Sequence, residues 1–147
     1  MKARFVTKAA LSALALAFAG TLPGVAQQTA SPAVDSVKAS AVEKVFIVKM
    51  ADIVQAGLKA GALDVKAVSG VLNEAVKADV SDRVMGAMVS MAAGAFPSSA
   101  PAVASAAVRS YGPNIREGHV RNVIASAVSS QSNPYASVAP ISEAVEK

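Results

Sequence analysis

Cysteine and tryptophan are absent from this chain of 147 residues, and it holds a single histidine, His119. Without cysteine no disulfide can brace the fold. No thiolate is available as a nucleophile or a zinc ligand. The acylated cysteine of a bacterial lipoprotein is missing as well. One histidine with no cysteine leaves only carboxylates for a metal, and the nearest pair, Asp79 with Asp82, better serves a helix start through its dipole. The chain also lacks the twelve-residue calcium loop of an EF-hand. Neither a G-x-S-x-G turn nor an S-x-x-K pair is present, and no G-x-x-x-x-G-K-[ST] or G-x-G-x-x-G loop cradles a phosphate. Glu43, Glu74 and Glu117 are carboxylates, but nothing in their spacing selects them for glycosidase chemistry. These absences predict a protein that is not an enzyme and needs no cofactor and no metal.

Charge is concentrated at the start. Lys2, Arg4 and Lys8 precede an uncharged run from Ala9 to Ala19. Gly20, Pro23 and Gly24 follow, then the small residues Gly24-Val25-Ala26. A charged head, a short apolar middle and a small-residue exit are the parts of an export signal. The apolar part is shorter than the roughly 20 residues a membrane helix needs. Residues 1–26 are therefore expected to be a cleaved signal peptide, with Gln27 as the new first residue. Removing its three cations takes Lys and Arg from 14 to 11 against ten acidic residues, so the net charge falls from +4 to +1. The basic balance belongs to the signal, and no nucleic-acid partner is expected. The predicted location is outside the cytoplasm, periplasmic or extracellular, with no transmembrane helix in the mature chain. The longest later uncharged stretch, Val84 to Val108, is interrupted by Pro97, Ser98, Ser99 and Pro101.

The remaining sequence is rich in Ala and Val. Its only aromatic residues are Phe46, Phe96, Tyr111 and Tyr135. Residues 27–30 read as a flexible lead-in, and residues 31–147 as one helical domain. Ser31-Pro32 opens a first helix whose apolar residues run from Val34 to Leu58 and which Gly57 and Gly61 close. Asp64 caps a second helix with Val65, Val68, Val71, Leu72, Ala75 and Val76 on one face. Asp79 or Ser81 starts a third, running to about Phe96 and apolar nearly all round. Gly86, Ser90 and Gly94, four residues apart, form a smooth strip where another helix can pack closely. A fourth helix spans Ala100-Pro101 to Gly112-Pro113. Asn114 is expected to cap a fifth, with Glu117 completing a capping box. A polar loop from Ser129 to Tyr135 leads to a last helix opening near Ala139-Pro140.

The predicted fold is all-α, about six helices in antiparallel hairpins. Two arrangements satisfy the pattern. Ala33-Val34, Ala67-Val68, Ala102-Val103 and Pro140-Ile141 recur at spacings of 34, 35 and 38, as in a short solenoid of helical repeats. An irregular bundle of helical hairpins is the favoured arrangement, because in a chain this rich in Ala and Val such pairs recur by composition alone.

One polar constellation stands out. Arg109, Tyr111, Asn114, Arg116, His119 and Arg121 gather about the Tyr111-Gly112-Pro113 turn and form a candidate corner for an anion or a partner. The functional expectation is an exported protein-interaction or structural module of the bacterial envelope, with another envelope protein or a second copy as partner. The alternative is a binder of membrane surfaces or of a small apolar ligand, with Lys38, Lys44, Lys49, Lys59, Lys66 and Lys77 on the rims of the helices.

Overall fold

A computed structural model describes residues 39–147. The expected signal peptide, the lead-in, the Ser31-Pro32 helix start and the Ala33-Val34 pair lie outside the described residues. Among the described residues six α-helices follow one another: α1 Ala41–Ala60, α2 Val65–Lys77, α3 Asp82–Ala95, α4 Ala100–Ser110, α5 Glu117–Ser129 and α6 Pro134–Glu146. Short 3-10 turns, Pro97–Ser99 and Gly112–Asn114, lead out of α3 and α4. Among the described residues there is no β-strand.

The caps explain where the helices begin and end. Ser40 starts α1: its hydroxyl accepts from the Glu43 N–H at 3.3 Å, and Glu43 returns the bond to the Ser40 N–H at 2.7 Å. That reciprocal pair satisfies two of the N–H groups a helix start leaves open. The helix carrying Val42 to Leu58 therefore begins at Ala41. It ends at Gly61, whose φ of 76° is open to a residue without Cβ. Gly57 does not terminate α1. It lies buried inside the helix, where a Cβ would meet the Phe96 ring at 2.9 Å.

Asp64 caps α2 by accepting from the Ala67 N–H at 3.0 Å. Asp79 does not cap α3. It closes α2 in the left-handed region, φ 55°. The Asp79 and Val80 N–H groups then bond back to the Val76 and Ala75 carbonyls, at 3.1 Å each. This is a Schellman ending, with the buried Val80 as its apolar residue.

Two further starts differ from expectation. Asn114 sits within a 3-10 turn, because Gly112 (φ 54°) and Pro113 bend the chain before α5 can begin. The N-cap of α5 is Arg116, and the N3 side chain that reaches back to it belongs to His119. The last helix begins at Pro134, five residues before Ala139. Asn133 accepts from the Ala136 N–H at 3.3 Å, and Pro134 takes the first turn, where a missing N–H costs nothing. Pro140 is inside this helix.

Adjacent helices pack as in a bundle, and the main contacts join helices one and two apart in chain order. Two rows result, α1–α3–α5 and α2–α4–α6, with the core between them. Among the described residues, none of the main contacts joins the first hairpin, α1–α2, to the third, α5–α6. Helices of the second row start at Val65, Ala100 and Pro134, 35 and 34 residues apart, and α3 and α5 start 35 apart. Leu72, Ala107 and Ile141 occupy one register position of the second row, and Met88 and Val123 share one in the first. All five are buried to within 1%. Ile141 thus corresponds to Ala107, and not to Val103 as the dipeptide spacing suggests.

Candidate functional site

A cluster of polar groups collects where α3 and α5 begin and α4 ends. Asp82 is the first residue of α3, and its carboxylate favours the positive end of that helix. Tyr111 follows the last turn of α4, and its phenol donates to Asp82 Oδ1 at 3.1 Å. His119, in the first turn of α5, stacks on the Tyr111 ring with centroids 4.2 Å apart and planes 12° from parallel. Its Nδ1 accepts the Arg116 N–H at 3.2 Å. In the neutral ring the proton therefore sits on Nε2, which lies 3.5 Å from the same Asp82 Oδ1. Asn122, one turn along α5, donates to the Asp82 backbone carbonyl at 2.7 Å.

One carboxylate thus accepts from a phenol, has an imidazole nitrogen 3.5 Å away, and links three helices at one end of the stack. Burial raises the Tyr111 phenol above its ordinary pKa, and the Asp82 charge adds to the effect, so the phenol stays protonated as a donor.

Of the corner residues singled out in the sequence, the fold brings together Tyr111, His119 and the backbone of Arg116. The others are elsewhere. Asn114 is exposed in the turn, its N–H bonded to the Tyr111 carbonyl at 3.3 Å. Arg121 pairs with Glu117 at 2.7 Å on the exposed side of α5. Arg109 lines a shallow depression between α4 and α6, with Pro101, Ser105 and Glu143. Asp82 and Asn122 escape a sequence reading, since their partners lie 29 and 40 residues away. Among the described residues, no three His, Asp or Glu side chains are grouped to hold a metal ion.

The strip Gly86, Ser90, Gly94 faces α5. A Cβ on Gly86 would meet Ser126 Oγ at 2.7 Å, and one on Gly94 would meet Ser130 at 3.4 Å. Between them Ser90 Oγ donates to the Ser126 carbonyl at 2.9 Å. Gln131 closes the seam, donating to the carbonyls of Ala93 at 3.0 Å and Ala127 at 3.1 Å.

Beyond this seam α5 turns a second face outward. Val120, Ile124, Ala125 and Val128 of α5 and Val138 of α6 line a shallow apolar groove of about 460 Å³, with Glu117 and Arg121 at its edge. At the opposite end of the row, α1 leaves Val42, Val45 and Val48 each more than half exposed. No described helix is long and apolar enough to cross a membrane. No protein-family model matches the chain, and no curated protein or solved structure matches it either.

Proposed function

We propose that this chain is an exported, non-catalytic helical module that works by binding other polypeptide chains in the bacterial envelope, in the periplasm or outside the cell. The observation that carries this reading is the α5–α6 groove, where half-buried Val120, Ile124 and Val128 and the exposed Val138 form an apolar depression at the end of the described helical stack. Stacks of helical hairpins offer such faces to other chains, because a helix row gains burial from each new neighbour. The charged, apolar and small-residue segments of residues 1–26 support the export half of the reading.

Two measurements test it. Mass spectrometry of the protein recovered from the cell envelope is expected to show a chain beginning at Gln27, and a cytoplasmic chain retaining residues 1–26 overturns export. A photo-cross-linking amino acid at Val138, inside the groove, is expected to yield discrete polypeptide adducts in intact cells. The same probe at Lys66, on the exposed side of α2, is expected to yield none. Equal labelling from both positions, or none from Val138, overturns the binding role.

A further inference from the structure

Each end of the described stack leaves apolar side chains exposed. In the 35-residue register that places Met88 with Val123 and Ala92 with Ala127, the α3 positions that receive α5, Gly86, Ser90 and Gly94, correspond to Arg121, Ala125 and Ser129. Arg121 and Ala125 line the uncovered groove, beside Ile124 and Val128. The face of α5 that points to solvent is therefore the face with which α3, one repeat earlier, takes up the next helix of its row. The close seam itself is not repeated, because Arg121 and Ser129 stand where Gly86 and Gly94 admit α5, so the groove takes a helix at a greater distance, one that longer side chains can fill.

Among the described residues, the helix with no preceding neighbour in this row is α1. Val42, Val45 and Val48 stand 56%, 52% and 57% exposed on it, an apolar ridge on the first half of the helix. Lys44 and Asp52 flank Val48 one turn to either side, and Glu117 and Arg121, paired with each other at 2.7 Å, edge the groove.

We propose that the occupant of the groove is a second copy of this chain. The valine ridge of its α1 seats against α5 and α6, so that the row α1–α3–α5 continues into the α1 of the next molecule. The contact is head to tail: the groove of one copy takes the ridge of another and leaves one free groove and one free ridge. Such a contact does not close on itself after two molecules and propagates with concentration. The inference rests on the binding role proposed above and names the partner.

The test uses protein purified from cells expressing the full chain. Sedimentation velocity from micromolar to millimolar concentration is expected to show a ladder of oligomers growing with concentration. Val45→Glu spoils the ridge and Ala125→Glu spoils the groove. Both residues are exposed, so circular dichroism is expected to show unchanged helix content. Each variant alone is expected to stay monomeric. Their mixture is expected to form a dimer and nothing larger, because one intact ridge meets one intact groove. A wild-type protein that stays monomeric throughout overturns this inference and leaves the cross-linking test of the binding role standing. A single variant that still dimerises indicates a two-fold contact between like surfaces, and also overturns it. So does a mixture of folded variants that stays monomeric.

Discussion

The first four helices and the last hairpin are held in different ways. In α1 to α4 the interior is filled by long side chains, with Met50, Leu72, Met85 and Met88 fully buried beside Val68, Val84, Val89 and Val103. In α5 and α6 the buried set shrinks to Val123, Ala127 and Ile141. Specific polar bonds supplement it: Asn122 to the Asp82 carbonyl, Ser90 to the Ser126 carbonyl, Gln131 to Ala93 and Ala127. Small residues along α3 let the α5 backbone come close, which brings these partners within hydrogen-bond distance. Apolar area drives folding whatever its geometry, whereas a polar seam holds only while its partners are aligned. The last hairpin is therefore expected to be the first part of the described structure to open.

Truncating the two cores puts this to the test with the largest effects. Met88→Ala opens a cavity at the centre of the stack and is expected to cost about 2–5 kcal/mol of global stability. Ile141→Ala removes the one fully buried side chain of α6. Its cost is expected to appear as local opening: amide exchange in α5 and α6 speeds up while exchange in α2 and α3 keeps its wild-type rate. If Ile141→Ala instead lowers protection equally in every helix, the two regions are one cooperative unit.

The seam itself is sharpened by two glycines. Gly86→Ala drives a methyl toward Ser126 Oγ and the Asn122 amide, and is expected to destabilise by about 1–3 kcal/mol. Gly70→Ala, in the middle of α2 where a Cβ meets nothing within 4 Å, is expected to stabilise by about 0.5–1 kcal/mol. Chemical denaturation of the pair separates steric closeness from helix propensity. An equal gain from both would remove the close approach of α3 and α5.

The smallest effect concerns pH, and lies in the first region. The Ser81 hydroxyl donates to Glu43, and the Ser40 and Ser81 N–H groups add to it, lowering the Glu43 pKa from 4.5 to about 2. A carboxylate depressed on folding stabilises above its unfolded pKa and loses that contribution as pH falls through the folded value. Wild type is thus expected to exceed Glu43→Gln in melting temperature above pH 4.5. The gap narrows steadily between pH 4.5 and 2. A gap that is constant across this window would place the effect outside Glu43 ionisation.

Much of the fold is legible in the residues themselves. Helix character follows from Val and Leu at steps of three and four, and Asp64 and Gly61 mark their boundaries through local chemistry that needs no distant partner. Asp79, Asn114 and Pro140 mislead for a single reason. Each is a residue type that suits a helix start, and the competing turn geometry is set by its neighbours. Asp79 completes a Schellman ending together with Val80, Gly112-Pro113 consume the turn before Asn114 can cap, and Asn133-Pro134 start α6 before Pro140 is reached. The Tyr111–His119–Asp82 clasp is less legible, because it joins residues from three helices whose side chains meet only after packing.

What the sequence by itself determined is the all-α class, the helix count and the small-residue strip of α3, since periodicity and caps act within one or two turns. Only the tertiary structure decided that the hairpins form a two-row stack, that Asp82 occupies the polar corner, and that Arg109 and Arg121 point to different surfaces. The physical reason is range. Helix propensity and capping are set by neighbours in the chain, whereas the order of helices in a stack depends on which apolar faces bury one another, and Ala and Val faces are too alike to specify their partners one by one.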